Sequence, residues 1–152
     1  MQNLPNKRPR SNCPINYAVE IIGDKWSLLI IRDIVYYGKK THGEFLRSEE
    51  KIATNILADR LLRLECEGII QKNADPKDKR REFFSLTPKG LGFIPLLLDL
   101  QLWSDAFGPS YISRSAPLAA AIKENREKVI DRITQDVKQG GYIFANKEWL
   151  KK

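Results

Sequence analysis

Histidine, cysteine and long apolar runs are scarce in this chain of 152 residues. It contains one histidine, His42, and two cysteines, Cys13 and Cys66. Metal ions in proteins are held by clusters of His, Cys or carboxylates at ligand spacing, and the sequence shows no such cluster. We therefore predict no metal site and no cofactor. A nucleophile–base pair would depend on His42 alone, so no catalytic residues are expected and an enzyme is the least favoured class.

Two cysteines are too few for a disulfide framework and indicate a reducing compartment, which predicts a cytoplasmic protein. No run of about 18 apolar residues is present, so no membrane span is expected. Residues 1–12 are polar and basic, with Pro5 and Pro9 among them and no apolar core behind the charges. We expect these residues to form a flexible basic arm, and we do not expect a signal peptide.

Positive charge is in excess, because 26 Lys and Arg stand against 19 Asp and Glu to give a net charge of +7. This balance suits a polyanionic partner, although many soluble proteins are mildly basic. Net charge alone therefore leaves two classes open, a nucleic-acid binder and a protein-binding module. The positions of the cations along the chain must separate them.

The segment from Lys51 to Ile70 predicts a helix with one buried face. Its apolar residues recur at helical spacing, and Gly68 can end the helix in the left-handed conformation. The opposite face carries Thr54 and Asn55 near its start, and such short hydrogen-bonding side chains suit base edges and phosphates. A plain amphipathic surface helix is the alternative, and the segment by itself does not exclude it.

Three helices are predicted before this segment. Pro14 fits the first position of a short helix, and Asp24 can cap a largely apolar helix that Gly38 ends. Thr41 and Glu44 have the spacing of a capping box, which predicts a third, short helix. That short helix, the turn after it and the amphipathic helix together form a helix-turn-helix.

Two short strands joined by a basic turn are predicted after Gly68, over residues 69–73 and 82–86. Residues 72–81 contain five cations and two anions. A basic hairpin directly after such a helix is typical of the wing of a winged helix, where arginine can enter a minor groove or pair with phosphates. A solvated loop is the alternative. The wing residues expected to contact DNA are Lys77, Lys79, Arg80 and Arg81.

A long apolar helix is predicted from the cap Thr87 to about Phe107, with a bend at Pro95. Its apolar residues lie on nearly every side, so it requires burial on more than one face. A domain of this size cannot cover it alone, which favours a two-fold homodimer over the alternative of a central helix in a monomer. The expected dimer contacts are Leu91, Ile94, Leu98, Leu102 and Trp103.

Residues 108–152 are predicted to form a C-terminal helical extension with one helix over 117–138. Its narrow apolar stripe favours a surface position, covering the dimer helix or the partner subunit. A pocket between these two helices could hold a small-molecule effector. The chain as a whole is predicted to be mainly α with a small β-hairpin wing, an α+β fold with its DNA-binding domain at 13–107.

This order of elements resembles the HxlR-type regulators of bacterial transcription, which are winged-helix relatives of the MarR group. The matching stretches are Cys13-Pro14, 23–26, 52–55, 57–61, 64–65, 68–69, 85–90 and Trp103. The resemblance implies a homodimeric regulator of transcription that binds double-stranded DNA, with the start of the recognition helix on bases and the wing on the backbone or minor groove. With the wing, the expected DNA-contacting residues are Thr41, Ala53, Thr54, Asn55, Ala58 and Arg60.

Cys13 is the candidate reactive group of the chain. A thiolate is favoured at a helix N-terminus, and Arg8 and Arg10 are near it in sequence. Some HxlR-type proteins are similar in using an N-terminal cysteine as a redox switch. The alternative, which we favour because most cysteines are inert, is a structural or packed thiol.

The sequence therefore predicts a cytoplasmic homodimeric regulator on an inverted-repeat operator, with half-sites about one helical turn, or about 34–36 Å, apart. The alternative from another class is a winged-helix module that binds a protein. The basic wing favours DNA.

Overall fold

The structure is a computed structural model that describes residues 9–75, 78, 81–112 and 115–146. Its elements in chain order are α1 (Pro14–Ile22), α2 (Ser27–Tyr37), α3 (His42–Leu46), α4 (Thr54–Cys66), β1 (Ile70–Ala74), β2 (Glu82–Leu86), α5 (Pro88–Leu91), α6 (Ile94–Phe107), α7 (Ala116–Glu124), α8 (Arg126–Lys138) and a 3-10 turn at Ile143–Ala145. Helices with one antiparallel hairpin confirm the predicted α+β winged helix-turn-helix class. Lys77, Lys79, Arg80 and residues 1–8 of the predicted arm lie outside the described residues.

Helices α1 and α3 begin where the sequence predicts, whereas α2 begins at Ser27, three residues after its predicted cap Asp24. Pro14 occupies the first turn of α1, and the Asp24 carboxylate accepts from the backbone N–H of Ser27 (2.9 Å) at the start of α2. Gly38 ends α2 in the left-handed conformation at φ 66°. Thr41 and Glu44 form the predicted capping box of α3. Local hydrogen bonds therefore set these boundaries before any tertiary contact is needed.

The hairpin has the predicted antiparallel pairing, with Ile70 opposite Leu86 and Asn73 opposite Phe83. Side chains alternate between the two faces of paired strands. Ile70, Phe84 and Leu86 are buried and face the core. The other face, which we name the outer face of the hairpin, carries Gln71, Asn73, Phe83 and Ser85.

The core lies between α2, α4, α6 and the inner face of the hairpin. Its fully buried side chains include Ile31, Val35, Leu57, Leu64 and Leu98. The leucines of α4 thus hold that helix against α2 and leave its other side at the surface. No described helix is long and apolar enough to cross a membrane.

The prediction of one bent helix from Thr87 to Phe107 is wrong, because α5 ends at Leu91 and α6 begins at Ile94. Pro95 lies in the first turn of α6, where its missing N–H costs nothing, so it starts the second helix. Gly90 packs so closely that an added Cβ would lie 2.0 Å from the carbonyl oxygen of Ile69. This contact fixes α5 against the start of β1.

The single helix predicted over 117–138 is also two helices, divided at Asn125. The Asn125 side chain accepts from the backbone N–H of Lys128 (3.0 Å) and so caps α8. The apolar stripe of α7 and α8 is buried in the core of this same chain, including Leu118 and Ile133. After α8, the ring of Phe144 packs against Tyr36 of α2, with centroids 5.5 Å apart. The extension is therefore part of the folded unit.

Candidate nucleic-acid interface

The start of α4 presents small and short polar side chains at the surface. The exposed residues are Ala53, Thr54, Asn55 and Ala58. Ala53 is the N-cap in extended conformation, and no side chain caps the first turn from that position. The first N–H groups of a helix lack intrahelical acceptors and carry partial positive charge. An anion or an acceptor on a base edge can therefore approach this turn closely.

The other side of α4 fixes its position. Leu57, Leu61 and Leu64 are buried at helical spacing. Arg63 donates through Nη2 to the backbone carbonyl of Glu20, which ties α4 to the end of α1. One face of α4 is thus immobilised by packing while its N-terminal turn is free to meet a partner.

Arg60 links α4 to the start of α2. Its Nε lies 3.2 Å from Asp24 Oδ1 and its Nη1 2.8 Å from Asp59 Oδ2, and only 23% of its side chain is exposed. Burial raises the pKa of Asp24, but hydrogen bonds from Ser27 and the Arg60 charge outweigh burial and hold that pKa below its usual value. Arg60, an expected DNA contact, therefore lies in an ion pair that holds two helices together.

A buried carboxylate holds the turn between α3 and α4. Asp33 of α2 is almost fully buried and pairs with Arg32 (Nη2–Oδ1 2.6 Å) and Lys39 (Nζ–Oδ2 3.0 Å). Ser48 in that turn donates to the same carboxylate and accepts from Lys39 Nζ at 2.7 Å. Sequence patterns alone did not predict this cluster. The available signal was an Asp in the middle of a largely apolar helix, since a buried carboxylate requires charged or hydrogen-bonding partners.

Arg32 extends this cluster to Glu50, just before α4, with Nη1 2.5 Å from Oε1. Hydrogen bonding to Arg32 outweighs burial and lowers the pKa of Glu50 to about 2. Glu50 therefore stays ionised over the whole neutral range. The approach to α4 is consequently fixed by charged contacts to α2.

Thr41 lies half-buried at the N-terminus of α3. Its hydroxyl accepts from the backbone N–H of Glu44 (3.3 Å), and the Glu44 carboxylate accepts from the backbone N–H groups of Lys40 and Thr41. Burial raises the pKa of Glu44, but these backbone hydrogen bonds outweigh burial and lower it. Thr41 therefore has a capping role, and its hydroxyl proton can still be donated outward.

In the wing, the structure describes Asp75, Asp78 and Arg81 between the two strands. The Arg81 side chain is largely exposed, and its Nε lies 3.8 Å from Asp78 Oδ2. Towards the turn end of the strands, Lys72 pairs with Glu82 at 3.3 Å. Arg81 is therefore accessible at the surface. In sequence it belongs to the same turn as the other wing cations.

The predicted dimer residues divide between core and surface. Leu91, Ile94 and Leu98 are buried by this chain itself, and Leu102 is half-buried. Trp103 is 62% exposed. Since three of the five are already covered, a partner could meet only the outward side of α6. The exposed apolar residues on that side are Leu96, Leu100, Trp103 and Phe107.

Cys13 is exposed at the N-cap of α1 and makes no side-chain capping bond. On the same helix, Ile15 and Val19 are exposed one turn apart. In the described part of the chain, no group of three His, Cys, Asp or Glu residues is placed to hold a metal ion.

Comparison with known proteins identifies the part of the chain that contains α4 and the hairpin as a helix-turn-helix unit. The HxlR-like helix-turn-helix family profile matches residues 21–111. A Synechocystis protein named as an HTH-type transcriptional regulator is 34% identical over 94 residues, covering 61% of this chain and 69% of that protein. The HTH-type transcriptional regulator YodB of Bacillus subtilis is 29% identical over 96 residues, covering 62% and 85%.

Solved structures give the same result. The reduced form of YodB is 28% identical, with a TM-score of 0.53 over 64% of this chain and 95% of that one. A Porphyromonas gingivalis W83 structure assigned to the MarR family of transcriptional regulators is 30% identical, with a TM-score of 0.55 over 70% and 99%. The family match ends at residue 111, so α7 and α8 lie beyond it.

Proposed function

The chain belongs to the HxlR-like helix-turn-helix family and is a transcriptional regulator of that type, and from this premise we propose that it binds an inverted-repeat DNA operator as a homodimer. The observation that carries the proposal is the exposed first turn of α4, with short polar side chains outward and buried leucines behind it. A partner of α4 must offer hydrogen-bonding edges, as a DNA groove does. DNA as the partner implies a site of action in the cytoplasm.

In this proposal α4 is the recognition helix and enters the major groove by its N-terminal turn. Asn55 can bond an adenine edge in bidentate fashion, and Thr54 can donate to or accept from a base or phosphate. Ala53 and Ala58 are small enough to let the helix approach the bases. Thr41, at the start of α3, would donate to a backbone phosphate.

The wing would supply affinity that does not depend on sequence. Arg81 is exposed, and Lys77, Lys79 and Arg80 belong to the same turn of the sequence. Cations that neutralise phosphates release counterions, so this part of the binding free energy falls as salt rises.

Dimerisation would cover the outward side of α6. Leu96, Leu100, Trp103 and Phe107 form an apolar strip there, and such strips mark contact surfaces. A two-fold axis along α6 uses the same strip twice. It would also set two recognition helices about one DNA turn, or about 34–36 Å, apart.

The experiment is selection of bound sequences from a random duplex pool at two salt concentrations. An enriched inverted repeat with half-sites one turn apart is the expected result. Salt-sensitive binding without an enriched motif would contradict the proposal and favour the protein-binding alternative. A pull-down would then identify the protein partner.

Control by a thiol is a second part of the proposal. Cys13 is exposed at the start of α1, and α1 contacts α4 through Arg63 and the Glu20 carbonyl. A disulfide between Cys13 and a thiol of a second copy of the chain, with diamide accepting the two electrons and two protons, would therefore alter the position of the recognition helix. Treatment with diamide should lower operator affinity in the native chain and leave it unchanged in Cys13→Ser. Equal affinity before and after treatment would exclude control of DNA binding through Cys13.

A further inference from the structure

We infer that the groove between the outer face of the hairpin and the C-terminal end of α8 binds a small organic anion with an apolar body. The groove has a volume of about 450 Å³. Sites for small molecules are clefts of about 300–1,000 Å³, mostly apolar and with a few placed polar groups. The groove has that size and that composition.

The two walls come from different parts of the chain. One wall is the outer face of the hairpin, and the facing wall is formed by residues 137–141 at the end of α8. The second wall lies beyond the family match, which ends at residue 111. This groove therefore depends on the C-terminal extension, and it is separate from the outward side of α6.

The charge of the groove has one sign. Lys40 and Lys138 line it, and no Asp or Glu is among its described lining residues. Of the carboxylates on adjoining elements, Glu44 caps α3 and Glu82 pairs with Lys72. Asp136 is adjacent to the second wall, where its backbone carbonyl accepts from the N–H of Gly141, but it is not among the lining residues. Two full positive charges outweigh the partial negative charge, about half a unit, at the C-terminus of α8. An anion is thus the favoured occupant.

Lys40 has donors to offer such an anion. Its Nζ donates to the carbonyl oxygen of Gly140 at 3.2 Å, which uses one of the three N–H donors of an ammonium group. This bond also positions Lys40 between the two walls. Lys138 lies in the last turn of α8 and is exposed.

The rest of the lining requires an apolar body on the ligand. Phe83, Pro88 and Val137 contribute accessible apolar surface to the groove, and the buried Ile34 and Leu91 complete its apolar lining. An inorganic anion or a DNA phosphate could pair with the lysines but would leave this surface in water. A carboxylate or sulfonate that carries an aromatic ring or an alkyl chain satisfies both parts.

Occupancy would be felt at the DNA-facing elements. The backbone carbonyl of Lys40 accepts from the N–H of Phe84 in β2 at 2.7 Å, and Lys40 directly precedes the cap of α3. A ligand held by Lys40 therefore contacts the base of the wing and the start of the helix-turn-helix. That such binding changes operator affinity rests on the proposed function; the binding itself does not.

The test uses two dyes of nearly equal shape on the full chain without DNA. 8-Anilinonaphthalene-1-sulfonate is an anion with an apolar body, and N-phenyl-1-naphthylamine is its neutral counterpart. In Lys40→Gln/Lys138→Gln, affinity for the anionic dye should fall about tenfold, since each exposed ion pair contributes up to about fivefold. Affinity for the neutral dye should stay unchanged. Lys123→Gln/Lys128→Gln removes the same charge from the extension outside the groove and should alter neither.

Unchanged affinity for the anionic dye in the double variant would overturn the inference, because the dye would then bind elsewhere. If the double variant is too unstable to measure, Lys138→Gln alone keeps the test valid. This single change should lower the affinity for the anionic dye about threefold. A loss of duplex affinity in these variants with no change in dye affinity would also overturn it, since the lysines would then contact DNA. Because dye binding is measured without DNA, failure of the proposed function leaves this result intact.

Discussion

Helices α4 and α6 have similar lengths, 13 and 14 residues, and each buries three apolar side chains. Their outward faces differ. The outer side of α4 begins with Thr54 and Asn55, whereas the outer side of α6 carries Trp103 and Phe107. Burial on the inner face explains why both helices form. In the proposed function, the chemistry of the outer face distinguishes a surface for DNA from a surface for a second copy of the chain.

The two helices also differ in how they are attached. Charged groups of α2 hold the approach to α4 through Ser48 and Glu50. α6 enters the core directly through Ile94 and Leu98, both fully buried. Helix α4 thus has charged contacts where the chain enters it, in addition to its buried leucines, whereas α6 begins with a fully buried apolar residue.

The largest expected effect tests the buried inner face, a feature that α4 and α6 have in common. Leu57→Ala should destabilise the fold by about 2–5 kcal/mol, because it removes a fully buried side chain and leaves a cavity. Leu62→Ala on the exposed side of the same helix should change stability by about 0.5 kcal/mol or less. Urea denaturation measures both. Equal losses would show that α4 is not packed by the face assigned here.

The next effect tests the outer face of α6. Trp103→Ala should weaken self-association by about 2 kcal/mol, or about 30-fold, as truncation of an aromatic anchor does. Tyr111→Ala removes an exposed aromatic residue beyond the end of α6 and is the matched control. Sedimentation equilibrium measures the association constant. A dimer of native strength in the Trp103 variant would place the contact away from this strip.

The third effect tests the outer face of α4 against the wing. Asn55→Ala should cost about 1–3 kcal/mol of discrimination between the selected operator and a scrambled duplex. Arg81→Ala should instead weaken binding to both duplexes and reduce the slope of affinity against salt by about one. Fluorescence anisotropy titrations at several salt concentrations separate the two. If both variants kept native binding, DNA would have to lie on another face of the molecule.

Signals close together in sequence predicted much of the fold. The capping box at Thr41, the stop at Gly38 and the strand pairing around Phe84 depend on residues a few positions apart or on simple alternation. The exposed start of α4 was predictable for the same reason. Hydrogen-bonding caps and periodic burial act locally, so the sequence displays them directly.

The remaining features depend on contacts between distant residues. Arg60 was expected on DNA, but its partner Asp24 lies 36 positions earlier and only the fold brings them together. A helix that is apolar all round does not show which face the core takes, so Leu98 and Trp103 could not be told apart. The break at Asn125 had a weak local signal, a capping residue inside an otherwise continuous helical pattern.

The smallest effect tests the charged contacts that hold the chain just before α4. The corresponding contacts of α6 are apolar. Because the folded-state pKa of Glu50 is about 2, below its ordinary 4.5, its ion pair with Arg32 stabilises the fold above about pH 4.5, and this stability is lost as pH falls through about 2. The contribution should be under about 1 kcal/mol, since 37% of the Glu50 side chain is exposed. The free energy of unfolding, measured by urea denaturation, should therefore fall less between pH 4.5 and 2 in Glu50→Gln than in the native chain. The control Glu49→Gln makes the same change in charge one residue earlier, and its free energy of unfolding should follow the native curve. Parallel curves for all three proteins would mean that packing, and not charge, holds the entrance to α4.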